Sequence, residues 1–191
     1  MQQIDCIITA AGLSSRMGQW KMMLPWQQGT ILDASIKNAM QFCSRIILVT
    51  GFRRDELHQR YAKSDNLLLV DNPDYAEGLF SSIAAGASRV ESEYCFITHG
   101  DIPCLNKKIF SKLWALRGDY AVIPHHNGTP GHPVLLNQNT LQTAVTQRQT
   151  RSMRNALLAG KHRCLEMEEP EIIFDIDTPQ DFINLQDNYR D

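Results

Sequence analysis

Short, continuously apolar runs alternate along the chain with segments whose apolar residues recur at helical spacing. The apolar runs predict strands at 4–9, 45–50, 67–70, 94–98, 120–124, 133–136 and 171–176. The segments between them predict helices at about 30–42, 53–63, 79–90, 105–117, 138–147, 151–159 and 179–188. Several runs are apolar throughout, as strands covered on both faces are. This alternation predicts an α/β sandwich with a mostly parallel sheet.

The region 125–136 interrupts the alternation because it is rich in His, Gly and Pro, which favours an antiparallel strand after it. In open α/β sheets, ligands bind beyond the carboxyl ends of the strands. Most of the unusual chemistry of the chain falls just after predicted strands. We therefore expect one shared rim from the segments that follow residues 9, 50, 70, 98 and 124.

Composition narrows the class of protein without naming an activity. The chain has 191 residues, of which 43% are hydrophobic and 21% charged, and these values predict a single globular domain over residues 1–191. The net charge of −2 argues against nucleic-acid binding. No secretory signal and no run of bilayer length is found, so we expect a cytoplasmic protein without membrane contact. The five cysteines form no C-x-x-C pair, which argues against a disulfide framework or a zinc ribbon.

The segment after the first predicted strand is the most informative part of the chain. It combines small residues with two cations: Gly12, Ser14, Ser15, Arg16 and Lys21. Small residues let backbone N–H groups approach an anion, and the cations add positive charge, so the segment predicts a phosphate cradle. Its spacing fits neither G-x-G-x-x-G nor the Walker A loop, which disfavours NAD binding and P-loop NTP hydrolysis. An ordinary strand-to-helix turn with two surface cations is the alternative.

Asp101 comes directly after the predicted strand 94–98, where its carboxylate would point into the crevice. A carboxylate there suits Mg²⁺, which prefers hard oxygen ligands and often takes one or two carboxylates together with substrate phosphates. The alternative is that Asp101 caps the helix expected from about residue 105.

Two more acids, Asp175 and Asp177, end the last predicted strand. In a strand their side chains would share one face, where they could complete a metal site with Asp101. Thr178, Pro179 and Asp181 are typical of a helix start. A helix beginning here does not explain the two acids before it.

Polar residues also precede the helix expected at 79–90. Asn72-Pro73 marks a turn, and Gly78 stands before a first helical turn that carries Ser81 and Ser82. Free N–H groups and hydroxyls there could contact a nucleobase edge or a ribose, although serines at a helix start are more often simple caps.

Three histidines, His125, His126 and His132, lie in the irregular region. Their spacing fits no standard zinc site, and no fourth ligand is nearby. We favour a rigid substrate loop in which His132, between Pro130 and Pro133, faces the pocket. An exposed turn is the alternative.

Taken together, these segments resemble the molybdenum cofactor nucleotidyltransferases of the MobA-like family, and among them the cytidylyltransferases. The pattern A-A-G-x-S-x-R-M-G-x-x-K-x-x-L-P is filled by Ala10, Ala11, Gly12, Ser14, Arg16, Met17, Gly18, Lys21, Leu24 and Pro25. The other matches are Gly100-Asp101-Ile102-Pro103 to the metal-binding G-D-x-P, Gly78 and Ser82 to the nucleotide-contacting G-x-x-x-S, Pro130-Gly131-His132-Pro133 to the P-G-H-P loop, and Asp175-Ile176-Asp177-Thr178-Pro179 to the closing D-I-D-T-P. The resemblance runs from about residue 4 to 183, and its order and spacing make it specific.

The resemblance implies transfer of CMP from CTP to the phosphate of molybdopterin, which forms the cytosine dinucleotide cofactor and releases pyrophosphate. It implies a three-layer α/β/α Rossmann-like sandwich with a mostly parallel mixed sheet, the nucleotidyltransferase or GT-A-like fold. Guanylyl-transferring relatives usually carry Ala-Gly-Gly at Ala10-Ala11-Gly12, which favours cytidine here. Thr9 stands where many members of the family have an aliphatic residue. Molybdoenzyme clients or cofactor-insertion chaperones are the further partners implied.

The resemblance also assigns residues to roles. It implies nucleotide binding by Ala10, Ala11, Gly12, Ser14, Ser15, Arg16, Lys21, Gly78 and Ser82, a substrate loop of Pro130, Gly131, His132 and Pro133, and Mg²⁺ or Mn²⁺ held by Asp101 and Asp177. Arg16, Lys21 and Asp101 would be the catalytic residues. The acceptor phosphate is already ionised (second pKa about 6), so the reaction needs positioning and charge neutralisation rather than a general base.

Two other functions stay open on the sequence alone. One is a cytidylyl- or guanylyltransferase that acts on another phosphorylated acceptor, such as a sugar or polyol phosphate. The other is a non-catalytic carrier of the molybdenum cofactor. Release of pyrophosphate separates an enzyme from a carrier, and the complete set of Arg16, Lys21 and Asp101 favours the enzyme.

Overall fold

The computed structural model describes residues 3–146 and 152–189. Its strands are β1 (Asp5–Thr9), β2 (Pro25–Trp26), β3 (Gly29–Thr30), β4 (Arg45–Thr50), β5 (Leu67–Asp71), β6 (Tyr94–His99), β7 (Ala121–His126), β8 (Thr129–Pro130), β9 (Val134–Asn137) and β10 (His162–Glu166). Its helices are α1 (Ile31–Met40), α2 (Arg54–Tyr61), α3 (Leu79–Ala87), α4 (Lys107–Trp114), α5 (Gln138–Thr146), α6 (Met153–Ala159) and α7 (Pro179–Asn188). Short 3-10 turns cover Lys21–Met23, Tyr75–Glu77 and Pro170–Ile173. Residues 147 and 151, predicted to be helical, lie outside the described residues.

The main sheet has the strand order β5-β4-β1-β6-β9-β7-β10, with β8 paired to β7. Strands β5, β4, β1 and β6 run parallel to one another, and β10 runs parallel to β7. Strand β9 is antiparallel to both β6 and β7. The mostly parallel mixed sheet is therefore confirmed, and so is the antiparallel strand after the irregular region.

Helices cover both faces of this sheet. Side chains alternate along β1, so that Ile7 packs on one face with Ile83 of α3, whereas Ile8 packs on the other with Ile36 of α1 and Ile109 of α4. This double coverage is the reason that the middle positions of the central strands are continuously apolar, and it gives the three layers expected. Within the described residues, none of the helices combines the length and the apolar character that crossing a bilayer requires.

Helix caps fix the elements beside the expected metal ligands. Thr178 accepts a hydrogen bond from the backbone of Asp181, whose side chain accepts in return, and Pro179 opens α7, as the sequence predicts. Helix α4 is capped by the side chain of Asn106, which accepts from two backbone N–H groups. Capping of this helix therefore leaves Asp101 available for another role.

The prediction of a strand at 171–176 is wrong. The segment forms the 3-10 turn Pro170–Ile173 and then continues without regular structure. Its apolar character comes from packing, because Ile172 is fully buried in the core. The edge position of the sheet belongs instead to β10, which the sequence did not predict because its residues are mostly exposed and polar.

Candidate active site

A cleft of about 680 Å³ opens at the edge of the sheet where β1 and β6 end. Its lining residues fall within 9–16, 21–22, 75–82, 99–102, 129–132 and 172–177. The segments that follow β1, β5, β6 and β7 thus share one rim, as expected. The segment after β4 does not line the cleft, since Gly51 packs tightly behind Ala11 and Tyr75.

The predicted phosphate cradle is a compact turn rather than the start of a helix. Ser14 adopts the left-handed backbone conformation (φ 55°), and its side-chain Oγ accepts a hydrogen bond from the backbone of Lys21 at 3.2 Å. Ala11, Gly12, Ser14, Ser15 and Arg16 line the cleft. Ala10 does not, because it is buried behind the cradle, where its backbone N–H donates to Val49.

Lys21 joins the cradle to two of the predicted metal ligands. Its Nζ lies 2.5 Å from Asp101 Oδ2 and 2.8 Å from Asp177 Oδ1. Burial alone would lower the pKa of Lys21, but the Asp101 and Asp177 carboxylates outweigh burial and raise that pKa above its ordinary value. Arg16 pairs with the other oxygen of Asp177 at 2.7 Å, although the Arg16 side chain is 70% exposed. The two cations expected to bind phosphate are therefore held by carboxylates.

The carboxylates lie together although the strand predicted to carry them is absent. The backbone N–H of Ile176 donates to the carbonyl of Asp101 at 2.9 Å, which brings the two segments into contact. Burial and the adjacent Asp177 carboxylate raise the pKa of Asp175 to about 6. Burial would also raise the pKa of Asp177, but its hydrogen bond from Lys21 outweighs that effect and lowers it.

These oxygens fit a hard divalent cation. Asp101 Oδ1 is buried and has no hydrogen-bond partner among the described residues. Over residues 3–146 and 152–189, no group of three or more His, Cys, Asp and Glu side chains is arranged as a complete metal site. A cation here would be bound by Asp101 and Asp177 and would need oxygens from a ligand, which matches the usual Mg²⁺ site in phosphate chemistry.

Two histidines meet beside these acids. The rings of His99 and His132 pack edge to face, with centroids 4.1 Å apart, and His99 Nδ1 lies 2.7 Å from Thr9 Oγ1. Burial is the main cause that lowers the pKa of His99 to about 4 and that of His132 to about 3. Both imidazoles are therefore uncharged at neutral pH.

The P-G-H-P loop presents part of its sequence to the cleft. Pro130, Gly131 and His132 line the cleft, whereas Pro133 is buried behind them. The backbone N–H of His132 donates to the carbonyl of Ile172 at 2.7 Å, and a Cβ on Gly131 would clash with that same oxygen. Close approach of two backbones thus requires glycine at this position.

The remaining histidines of the irregular region do not line the cleft. His125 Nδ1 lies 3.2 Å from the carbonyl of Ile123, and His126 Nδ1 lies 3.0 Å from that of Met167. Within the part of the chain that the structure describes, they join no group of three or more His, Cys, Asp and Glu side chains that could hold a metal ion.

The start of α3 forms a further wall of the cleft. Gly78 has φ 107°, a backbone conformation that residues other than glycine rarely adopt. Helix α3 begins directly after it. Ser82 lines the cleft and is 3% exposed. Its hydroxyl accepts a hydrogen bond from Asn72 Nδ2 at 3.0 Å.

The sequence-family model of the MobA-like NTP transferase domain matches residues 6–164 of this chain. The chain belongs to the MobA-like NTP transferase family. A molybdenum cofactor cytidylyltransferase from Escherichia coli K12 is 59% identical over 191 residues, a match that covers 100% of both proteins. A probable molybdenum cofactor guanylyltransferase from Nostoc is 26% identical over 204 residues and is matched over 100% of this chain and 94% of its own length.

Solved structures have the same fold as this MobA-like transferase. A nucleotidyl transferase from Methanothermobacter superimposes with a TM-score of 0.85 at 19% identity, over 98% of this chain and 97% of the other. A Mycobacterium tuberculosis protein in complex with manganese gives a TM-score of 0.74 at 18% identity, over 98% of this chain and 100% of the other. The nucleotidyltransferase fold expected from the sequence is confirmed.

Some residues of the cleft in this MobA-like chain were not singled out in the sequence. Tyr75, Leu79 and Ile172 line the cleft. In the sequence nothing distinguishes these three from ordinary core or surface residues. His99 and Thr9 gave a clearer signal, because each is a polar residue at the end of an apolar strand. Their contact could not be foreseen, since it depends on the pairing of β1 with β6.

Proposed function

We propose that this MobA-like transferase moves CMP from CTP to the phosphate of molybdopterin, forms the cytosine dinucleotide cofactor and releases pyrophosphate. The observation that carries the proposal is the cluster of Lys21, Arg16, Asp101 and Asp177 against a cradle of small residues. Full-length identity of 59% to a molybdenum cofactor cytidylyltransferase supports cytidine as the transferred nucleoside and molybdopterin as the acceptor.

In this reaction an oxygen of the acceptor phosphate attacks the α-phosphorus of CTP, and the bond to the β-phosphate breaks. Arg16 and Lys21 neutralise negative charge on the phosphates and on the departing pyrophosphate. The acceptor needs no deprotonation, because a phosphate monoester is largely ionised near pH 7. His99 and His132 are weak bases, with pKa values near 4 and 3, and they take no proton at this pH.

Asp101 and Asp177 would hold Mg²⁺ or Mn²⁺, which supplies positive charge to the nucleotide oxygens when it is bound. The manganese complex of a protein with the same fold and the unpartnered Asp101 Oδ1 support this assignment. Before the cation arrives, Lys21 keeps the two carboxylates close together and compensates their charge.

The two substrates would occupy different walls of the cleft. We assign the nucleotide to the cradle, with Ala11, Gly12, Ser14 and Ser15, and to the start of α3, with Gly78 and Ser82. Ala10 supports the cradle from behind. We assign the acceptor to the loop of Pro130, Gly131 and His132, with Pro133 as its buried support. Uncharged imidazoles suit a neutral heterocycle better than a phosphate.

The remaining expectations are part of the same proposal. The chain would act as a single domain in the cytoplasm, with CTP and molybdopterin as ligands and with molybdoenzymes or cofactor-insertion chaperones as recipients of the product. Nucleic acid and membrane have no role in it.

The test is to incubate the protein with Mg²⁺, molybdenum cofactor and each nucleoside triphosphate in turn, and to measure pyrophosphate and the dinucleotide product. We expect release with CTP. Release with GTP instead would make the protein a guanylyltransferase, and release only with a sugar or polyol phosphate would change the acceptor. Binding of the cofactor without release from any triphosphate would identify a carrier.

A further inference from the structure

Asn72 lies outside the cleft lining but organises part of the wall beside it. The backbone N–H of Asp74 donates to Asn72 Oδ1 at 3.0 Å. Since a backbone N–H can only donate, this contact fixes which end of the Asn72 amide is oxygen. The amide nitrogen therefore faces the two hydroxyls at the start of α3, at 2.9 Å from Ser81 Oγ and 3.0 Å from Ser82 Oγ.

The two serines differ in what remains free. The Ser81 hydroxyl donates its proton to the carbonyls of Gly78 at 2.8 Å and Asp74 at 2.9 Å, so it is fully used within the protein. The Ser82 hydroxyl accepts from Asn72, and this contact leaves its own proton for another acceptor. Ser82 lines the cleft, so the direction left for this proton is toward a ligand.

We propose that Asn72 is a positioning residue that makes the Ser82 hydroxyl a hydrogen-bond donor to the cytosine ring of the bound nucleotide. The inference rests on the proposed function, because that function places the nucleotide along α3. Cytosine carries a carbonyl oxygen and a ring nitrogen that accept hydrogen bonds, whereas the phosphates are provided for by Arg16 and Lys21. Asn72 occupies one of the two lone pairs of Ser82 Oγ, so the hydroxyl proton points away from Asn72 and is available to donate.

Substitutions at Asn72 and Ser82 test the connection between them. Asn72→Asp keeps an oxygen for the N–H of Asp74 but replaces the amide donor by a second acceptor, which attracts the Ser82 proton away from the cleft. We expect Asn72→Asp and Ser82→Ala each to weaken the calorimetric Kd for CTP in the presence of Mg²⁺ by about three- to tenfold, the effect of one hydrogen bond. The double variant should bind no more weakly than Ser82→Ala.

Ser81→Ala is the matched control. It removes the neighbouring hydroxyl, which accepts from the same Asn72 amide but donates its own proton to the backbone carbonyl of Gly78. We expect its Kd for CTP to stay within about twofold of the parent value. Thermal unfolding of each variant shows whether it is folded. Asn72→Ala, alone and combined with Ser82→Ala, repeats the double-mutant comparison without adding a charge.

Several results would overturn the inference. The first is an effect of both Asn72 variants that persists in full when Ser82 is alanine. The second is a loss with Ser81→Ala as large as that with Ser82→Ala. The third is that Ser82→Ala has no effect on the binding of dCTP, which would assign the contact to the ribose. If the protein binds CTP with the expected cycle but releases no pyrophosphate, the proposed reaction fails and the role of Asn72 stands; if it binds no CTP, both fail.

Discussion

Lys21 Nζ and Asp101 Oδ2 lie 2.5 Å apart and connect the loop after β1 to the loop after β6. Both side chains are almost completely buried, and Asp177 completes the contact from the segment before α7. In the proposed reaction, phosphates would compete for the Lys21 ammonium and a divalent cation would compete for the two carboxylates. We therefore expect binding of nucleotide and of the cation to be coupled, since phosphate would free the carboxylates and the cation would free Lys21.

Removal of the divalent cation should weaken nucleotide binding. Without it, triphosphate that draws Lys21 away leaves Asp101 as a buried charge without a cationic partner and Asp177 with Arg16 alone. We expect EDTA to raise the calorimetric Kd for CTP at least about tenfold, which corresponds to about 1.4 kcal/mol. Equal affinity with and without Mg²⁺ would contradict this coupling.

Lys21→Met should abolish most of the activity while the protein stays folded. Losing one preorganised cation at a phosphate costs about 10²–10³ in turnover. The midpoint of thermal unfolding should fall by a few degrees, because Asp101 loses its cationic partner and Asp177 keeps only Arg16, and Mg²⁺ should restore the midpoint but not the turnover. Lys107→Met, which removes an exposed lysine at the start of α4, is the control. Lost stability with retained turnover would refute the role of Lys21.

Asp101→Asn should remove the cation without disturbing the fold. The substitution keeps the size of the side chain and leaves Asp177 as the partner of Lys21. We expect the affinity of the CTP complex for Mn²⁺, followed by electron paramagnetic resonance, to fall at least about tenfold, with a loss of turnover of about 10² or more. Asp65→Asn changes an exposed acid and serves as the control. Unchanged Mn²⁺ binding would exclude Asp101 as a ligand.

Gly12→Ala should weaken CTP binding without loss of stability, whereas Gly51→Ala should lower stability. A Cβ on Gly12 meets no atom of the described residues within 4 Å, so this variant should unfold at the temperature of the parent and yet bind CTP more weakly, because the methyl group stands where phosphate approaches. A Cβ on Gly51 would lie 2.7 Å from the Tyr75 side chain and 2.8 Å from that of Ala11. Gly51→Ala should therefore lower stability. Full CTP affinity in Gly12→Ala would argue against the phosphate cradle.

Asp5 predicts how stability depends on acid, far from the cleft. Burial would raise its pKa, but hydrogen bonds from Arg45 and from the backbone of Glu91 and Ser92 outweigh burial and lower it to about 2. A carboxyl group with a lowered pKa stabilises the fold above its unfolded pKa near 3.8, and this stabilisation is lost as the pH falls toward 2.

The contribution of Asp5 at neutral pH is roughly 2 kcal/mol, given the fall of its pKa from 3.8 to about 2. Urea unfolding of the parent and of Asp5→Asn should therefore differ most above pH 5, and the difference should shrink between pH 4 and pH 2. A difference that is constant across this range would show that the charge of Asp5 contributes nothing.

The apolar pattern predicted most of the fold because the central strands of the main sheet are buried on both faces. Strands such as β1 and β4 have continuously apolar middle positions between polar ends, and short runs of this kind are typical of central parallel strands. Strand β10 escaped prediction because an edge strand with exposed residues carries no such run. The segment 171–176 misled for the converse reason: Ile172 is apolar to fill the core, not to extend a sheet.

Which residues line the cleft could be predicted where they follow strand ends, whereas the contacts between them depend on tertiary structure and could not. Arg16, Lys21 and Asp101 followed apolar strands, so the topology alone brought them together. The bridge from Lys21 to Asp177 spans 156 positions of sequence and arises from an irregular segment. The position of Asn72 behind Ser82 likewise has no signature along the chain.

Main-chain hydrogen bonds tie the far wall of the cleft together. Ile176 is bonded to Asp101, and His132 is bonded to Ile172, so the segment before α7 is attached on both sides. We therefore expect this segment to stay in place when ligands exchange. Among the side chains at the entrance, Arg16 is mostly exposed and is held by Asp177 alone among the described acids, so we expect it to turn aside. Turnover in such a protein should be governed by charge exchange at the entrance, with the backbone remaining still.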